Sequence, residues 1–327
     1  MKILFVIDKI ELKYFEFNDL VTNFWFIKEF LSRDYEVEVT VNSRLFVKSA
    51  KGFAICQSAY LKDKNIFLEK EKKEFLINDF DVVFFRPDPP VDIDYLSACS
   101  VFDFVDDEKT LLINNPKSIR DFNEKLHVNL FPSFVPENIV TSSKELIHDF
   151  VLRNEEAVIK PLNECFGSGV YYLNLHDRNL LTIIDNVTKK ETVHVMVQKF
   201  LKSERGEDKR VLLVGNEVLD ECILKLPKEN SFKFSEHADK FFTSTKLTDK
   251  EREVAKTVAK ELNKRGLFLV GLDIMDNKII EINVTSPCYF IREINQNYGI
   301  RFQDKLMNKI EQLILTHKKE AYADIHG

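Results

Sequence analysis

The chain has 327 residues, more than one compact core usually holds, so two or three subdomains are expected. A hydrophobic share of 44% is ample for burial, and a net charge of -6 with a pI near 5.8 excludes the uncompensated Lys/Arg surface that nucleic-acid binding needs, leaving small-molecule chemistry. Only the short apolar run 3–7 precedes Asp8, too little for a signal peptide, and no run approaches the roughly twenty residues of a membrane span, so a cytoplasmic protein is expected. Cys56, Cys99, Cys165, Cys222 and Cys288 are widely spaced without C-x-x-C, and no histidine pair has metal spacing, which points to reduced thiols and no zinc.

Along the chain, 2–7 reads as a buried parallel-type strand, 19–32 as a helix and 35–41 as an alternating strand, a βαβ opening. A second apolar strand, 81–85, runs into Arg86-Pro87-Asp88-Pro89-Pro90. There the prolines hold an extended loop at a strand's C-terminal edge, where open α/β sheets collect ligands. Neither Gly-x-Gly-x-x-Gly after the first strand nor Gly-x-x-x-x-Gly-Lys-Ser/Thr occurs, so any nucleotide site is of another type. Asn115-Pro-Lys-Ser opens a helix and a second subdomain. The strand 157–161 carries Lys160 at its end, ahead of Gly167-Ser168-Gly169. An ammonium and exposed backbone N–H groups converging there suit a phosphate cradle, and an ordinary loop has the same composition. Then come a strand at 193–201 and a hairpin of 210–214 with 217–226, turned at Gly215-Asn216. Segment 228–246 is polar but studded with Phe232, Phe234, Phe241 and Phe242, either a loop that packs around bound ligand or a surface excursion. An amphipathic helix at 248–265 is closed by Gly266, and the chain from Lys318 reads as a frayed tail.

The most informative stretch is 268–283. If Asp276, Asn277 and Lys278 form a three-residue loop, Met275 pairs with Ile279, Asp273 with Glu281 and Gly271 with Asn283, placing the oxygen ligands on one face. Leu272, Ile274, Ile280 and Ile282 then share the other face, whereas a two-residue loop mixes acids with aliphatics. Two carboxylates and a carboxamide are hard oxygen donors of the sort that hold Mg²⁺ jointly with substrate phosphates, the alternative being a solvated hairpin edge.

These pieces, in this order, resemble the bacterial glutathione synthetases of the ATP-grasp superfamily over nearly the whole length. The resemblance is carried by Arg86-Pro-Asp-Pro-Pro-Val-Asp, Asn115-Pro-Lys-Ser-Ile-Arg-Asp-Phe-Asn-Glu-Lys-Leu, Ile159-Lys-Pro-Leu, Asp208-Lys-Arg-Val-Leu-Leu-Val, Gly266-Leu-Phe-Leu-Val-Gly-Leu-Asp, and Glu281-Ile-Asn-Val-Thr-Ser-Pro with Ile291-Arg-Glu-Ile. It implies an α/β chain, α+β in its C-terminal part, with the ATP-grasp fold. An N-terminal Rossmann-like parallel-sheet domain would span 1–120, a central and lid subdomain 121–200, a C-terminal subdomain with the magnesium site 201–316 and a tail 317–327.

By the same resemblance, ATP lies between two antiparallel sheets and phosphorylates a substrate carboxylate, and an amine displaces the acyl phosphate to form an amide. The implied substrates are ATP, γ-glutamylcysteine and glycine, with Mg²⁺ or alternatively Mn²⁺, in a homo-oligomer with neither nucleic-acid nor membrane partners. Asp273, Glu281 and Asn283 would hold the metal, and Lys125, Lys160 and Arg210 would stabilise developing negative charge. Gln198, Lys199, Phe200 and Leu201 match the hinge strand that reads the adenine edge, Asp208 the nucleoside side of the pocket, and Gly167, Ser168 and Gly169 the phosphate turn. Arg86, Lys225, Lys233, Ser286 and Arg292 fall on the substrate side, with Arg292 suited to clamp a carboxylate. For Lys125 a helix-surface role, and for each arginine a structural ion pair, are the plainer readings.

Three segments depart from the family pattern. Its Asp-Gly-Met-Gly-Gly run here reads Asn163-Glu164-Cys165-Phe166-Gly167, where Glu and Phe restrict φ > 0 and Glu164 faces phosphate as a like charge. The lid, usually rich in Arg and Gly, holds Lys233, Ser235, His237 and several phenylalanines, and the segment 286–292 is one residue longer. Besides glutathione synthesis, a related ligase with another acceptor amine and a non-catalytic nucleotide-binding module therefore remain open. The unchanged metal residues count against the last.

Overall fold

The computed structural model describes residues 1–165, 167–202, 208–225 and 242–326, with side chains through Lys319. The first sheet is built on β1 (Lys2–Ile7), which is apolar on both faces because both are covered. Asp8 caps α1 (Lys9–Lys13), accepting from the N–H groups of Ile10 and Glu11. The expected helix starts three residues late, as α2 (Thr22–Ser32), because an Asx turn at Asn18 and the bond from Trp25 Nε1 to the Asp19 carbonyl hold 18–21 as a loop. β2 (Glu36–Val41) then lies parallel to β1.

Next come four strands that the sequence reading passed over: β3 (Leu45–Lys48), β4 (Lys51–Lys62), β5 (Asn65–Leu68) and β6 (Lys73–Leu76). β4 pairs antiparallel with β2 and with the other three. Their short, lysine-rich alternation looks like loop until tertiary pairing buries one face. β7 (Val82–Phe85) returns parallel to β1, and α3 (Ile93–Val101) leads to β8 (Leu111–Ile113), parallel to β7. Strand order runs β3-β4-β2-β1-β7-β8, so the chain reverses direction around β1 and leaves its crevice between the C-terminal ends of β1 and β7.

α4 (Pro116–Asp121), capped by Asn115, leads to a second, antiparallel sheet of β9 (Asn138–Thr141), β10 (Glu156–Pro161), β11 (Tyr171–Asn174) and β12 (Val195–Lys199). Helices α5 (Lys144–Asn154) and α6 (Leu180–Val187) pack on it around Phe150, Ile159 and Ile184, a core of its own.

The third sheet has the order β16-β15-β13-β17-β18. β13 (Asp208–Val214) turns at Gly215-Asn216 into the short β14 (Glu217–Val218), as expected, and pairs again with β15 (Cys222–Lys225), which pairs with β16 (Phe242–Thr245). A capping box between Thr248 and Glu251 starts α7 (Asp249–Asn263), and β17 (Leu269–Met275) and β18 (Lys278–Asn283) form the acidic hairpin. After α8 (Ile291–Tyr298), the stretch expected to fray is helical: α9 (Phe302–His326) runs back to the first sheet, where Lys318 pairs with Asp81 and His317 Nε2 meets the Asp107 carbonyl. One core joins Phe5 and Phe30 of the first sheet to Leu269, Tyr289 and Leu306, and another joins Leu4 and Val83 to Val211 and Leu272 and takes in Met196 of the second sheet, whose other face packs on α5 and α6.

Asn114 locks that joint. Its amide donates to the carbonyls of Leu269 (2.8 Å) and Val284 (2.7 Å) and accepts from the N–H groups of Phe268 and Leu269 (both 2.7 Å). At 2% exposure no water can replace these partners. Asn114→Ala is expected to lower unfolding free energy by about 3 kcal/mol or more, read as a reduced urea midpoint; a change under about 0.5 kcal/mol would contradict this reading.

Candidate active site

The acidic hairpin closes on a two-residue turn, Asp276 and Asn277 both at positive φ, rather than on three residues. Met275 thus pairs with Lys278 and Ile274 with Ile279, a register that would scramble the faces. A bulge at the Asp273/Ile274 step restores it, so Asp273 still opposes Glu281 and Gly271 opposes Asn283. Ile279 enters the core with Leu272, Ile274 and Ile282, and Ile280, which was expected there, is only half-buried.

Asp273, 5% exposed, is the centre of a charge cluster. Arg210 binds it with two prongs, Nε to Oδ1 at 2.6 Å and Nη2 to Oδ2 at 3.0 Å, and Lys225 Nζ stands 3.1 Å from Oδ1. Burial pushes the Asp273 carboxyl up, and Arg210 with Lys225 outweighs it, holding the group well below the usual carboxylate range. Asn283 Nδ2 lies 3.3 Å from Asp273 Oδ2. Gly271 lets Arg210 lie flat on the strand, since a Cβ there would sit 3.1 Å from Arg210 Cδ and 3.2 Å from Pro287 Cβ. Lys225 also pairs with Asp208 at 2.7 Å, and burial lifts Asp208 to about 6 despite that partner.

Facing this cluster from the second sheet, Lys160 Nζ donates to Gln198 Oε1 at 3.0 Å, with no carboxylate at ion-pair distance among the described residues. Burial lowers its pKa to about 8. Lys125 Nζ meets Glu281 Oε1 at 3.0 Å and the Glu164 carbonyl at 2.6 Å. The altered loop thus presents a backbone oxygen to Lys125, and it folds on the first domain through Cys165 Sγ, 3.8 Å from the Pro89 carbonyl. Gly167 and Gly169 both have positive φ, and a Cβ on Gly169 would come within 2.7 Å of Pro161. Ser168 is exposed. In the hinge, the N–H groups of Lys199 and Phe200 are taken by the carbonyls of Glu137 and Glu156, and Leu201 N–H has no acceptor among the described residues.

The substrate-side candidates separate. Arg86, 2% exposed, donates to Asn23 Oδ1 (2.6 Å) and to the Pro287 carbonyl (2.8 Å), which ties the first domain to the 285–288 loop, and Ser286 lies close enough to Asp88 to favour its charged form. Arg292 is turned to Glu293 (2.8 Å) and Asp19 (3.7 Å), the ion-pair reading. Lys225 serves as counter-ion to Asp208 and Asp273. Lys233, with the expected lid residues Phe232, Phe234, Ser235 and His237, lies outside the described residues.

Two features escaped the sequence reading. Glu124, beside Lys125, accepts at one oxygen from Val284 N (2.6 Å), Thr285 N (2.9 Å) and Thr285 Oγ1 (3.0 Å), fixing the end of β18 against the Lys125 segment. Burial and the nearby Glu281 charge raise its pKa. Its adjacency to Lys125 was the one available signal. Asp8, Glu11 and Asp88 gather carboxylate oxygens within 4.8 Å at the β1/β7 crevice, where burial lifts Glu11 to about 8 and Asp88 to about 6.

Two family models match, the N-terminal domain of prokaryotic glutathione synthetase over residues 1–120 and its ATP-grasp domain over residues 124–299. The chain belongs to the prokaryotic glutathione synthetase family. It is 36% identical to the glutathione synthetase of Synechococcus elongatus over 248 residues, covering 76% of each chain. It is 32% identical to that of Yersinia pestis over 300 residues, covering 91% of this chain and 94% of the relative. Among solved structures, the ATP-grasp ligase PsnB complexed with a phosphomimetic precursor variant, Mg and ADP aligns with a TM-score of 0.61 at 16% identity, covering 97% of this chain and 98% of that one, a likeness of fold. As a member of this family, the protein is an ATP-dependent ligase that forms a C–N bond. Among the described residues no helix is long and apolar enough to cross a membrane.

The residues present suit the magnesium and nucleotide that the family uses. Asp273, Glu281 and Asn283 are hard oxygen donors on one face of a hairpin. Gln198 Nε2 and Asp208 Oδ1 are buried without partners among the described residues, the state of groups that a ligand completes.

Two predictions follow from this geometry. Because burial depresses the Lys160 pKa, its ammonium is present below about pH 8 and lost above it. ATP affinity of the ligand-free protein should therefore fall as pH rises from 7 to 9.5, and Lys160→Arg should flatten that profile in calorimetric titrations; an unchanged slope would remove Lys160 from the phosphate site. Glu124→Ala should raise half-saturating Mg²⁺ or lower kcat/KM by about 10- to 100-fold, with Glu124→Gln restoring most of it because an amide oxygen accepts the same N–H groups. Equal losses in both variants would contradict the clamp.

Proposed function

We propose that this protein joins γ-glutamylcysteine to glycine, with ATP cleaved to ADP and phosphate. The observation that carries the reading is the hairpin face of Asp273, Glu281 and Asn283, with Lys125, Arg210 and Lys225 pressed against it and Lys160 across the cleft. Among the described residues Lys160 has no carboxylate at ion-pair distance, and a polyphosphate supplies negative charge there.

Asp273, Glu281 and Asn283 would hold Mg²⁺, which when bound neutralises phosphate charge; Mn²⁺ is the alternative ion of the same oxygen preference. Gln198 and Leu201 would read the base, and Asp208 the sugar. Lys125 and Lys160 would orient the phosphates toward the substrate carboxylate, whose oxygen takes the γ-phosphoryl group as ADP leaves. The amine nitrogen then attacks the acyl carbon, the C–O bond to phosphate breaks, and phosphate and a proton depart. No side-chain nucleophile is needed. Arg210, held by Asp273, Gly271 and the Phe290 ring 5.5 Å from its Cζ, would stabilise the oxyanion that forms on the acyl carbon.

A second reading, a ligase with another acceptor amine, is favoured by the altered loops: Lys125 is held by the Glu164 backbone, and the longer 286–292 segment is tied to Arg86.

The deciding assay is Mg-ATP-dependent ADP release with γ-glutamylcysteine, with and without glycine, and the product's mass. Glycine-dependent glutathione formation supports the main reading. ADP release without glutathione supports the second, and ATP binding without any turnover would sink both. Asp273→Asn should reduce kcat by at least about 100-fold while the thermal transition remains cooperative; near-normal turnover would overturn the metal assignment.

A further inference from the structure

On the other side of α1 from the acidic crevice lies a cleft of about 520 Å³ that the ligase reaction does not use. It opens at the C-terminal edge of β1 and β2, with Leu12 and Val41 as its apolar floor and Lys9, Lys13, Arg44 and Lys72 around it. No carboxylate lines it, and among the described residues none of the four cations has a carboxylate partner at ion-pair distance. On the same sheet Lys48 pairs with Glu74 and Lys73 with Glu71. In a chain of net charge -6, four uncompensated cations around one concavity are a local inversion of sign.

The cleft is also organised. Gln57 Nε2 donates to the Glu69 carbonyl at 2.8 Å, which fixes its Oε1 to accept from Arg44 Nη1 at 3.0 Å and aims the guanidinium. Lys9 and Lys13 are one helical turn apart and face the cleft together. Glu11, between them in sequence, points the other way, toward Asn23 at 2.9 Å. α1 thus divides a basic site from the acidic crevice.

We propose that this cleft binds a small, multiply charged phosphoanion, independently of the nucleotide between the second and third sheets. Three ammonium groups and a guanidinium exceed what a monocarboxylate neutralises, and a polyphosphate matches both the charge and the space. The cleft is open and its lysines exposed, so binding is salt-sensitive.

The test is calorimetric titration of the full chain with sodium tripolyphosphate in magnesium-free buffer. Wild type, Lys9→Gln/Arg44→Gln/Lys72→Gln and the active-site control Lys125→Met/Lys160→Met are compared. The expected result is a site that the control retains and that the triple variant binds at least about tenfold more weakly, with an unchanged circular-dichroism melting curve. Should the triple variant melt early, single Lys9→Gln and Lys72→Gln, both at exposed positions, must each still weaken that site. Wild-type binding in the cleft variants, or loss of all binding in the active-site control, overturns the proposal.

Discussion

Asp273 is nearly inaccessible to water, and a carboxylate there is tolerable only because Arg210 grips both its oxygens and Lys225 closes on one of them. Much of the third sheet is arranged to permit that contact. Gly271 removes the side chain that would keep Arg210 off the strand, the Phe290 ring lies against the guanidinium, and the Cys288 carbonyl accepts its remaining nitrogen at 3.4 Å. The pair stores an electrostatic arrangement that incoming phosphates and a divalent ion can reorganise without moving backbone. Breaking it from one side would leave a buried charge uncompensated.

The cleft between the second and third sheets inherits its chemistry from how the cores divide. The first and third sheets share an interior, with Asn114 and α9 stitching them, while the second sheet packs one face around its own helices and reaches the shared core through Met196. Lys160 and Gln198 therefore belong to one packed unit, and Asp208, Arg210, Lys225 and Asp273 to another. Groups that ligand must satisfy lie on both sides, so nucleotide binding would add polar contacts across a seam that Met196 closes only in part.

The first domain meets the site through the 285–288 loop. Arg86 reaches the Pro287 carbonyl, so the crevice at β1 and β7 and the end of the acidic hairpin are one assembly. Glu124 does the same for the Lys125 segment. The arginine that the motif nominated for substrate thus spends one nitrogen on the Pro287 carbonyl and another on Asn23 of α2, and the unforeseen glutamate registers the Lys125 segment against β18.

Much of this was legible in one dimension. The facing of Asp273, Glu281 and Asn283 follows from the hydrophobic alternation of the hairpin, and Lys160 at a strand end, the Gly215-Asn216 turn and Gly266 after the amphipathic helix are local signals with local causes. The residue count of the hairpin loop was not legible, because a two-residue turn with a bulge and a three-residue loop place the same acids on the same face. Nor was β3–β6 pairing, which depends on what β4 finds across the sheet. The sequence by itself determined which groups are present and which periodicity each segment carries, since those are properties of covalent order and local backbone geometry. Only packing brought distant charges together: Lys225 with Asp208 and Asp273, Arg86 with the Pro287 carbonyl, Arg292 with Asp19. Burial and opposite charge act through space, and residues far apart in the chain become partners only after the sheets have packed.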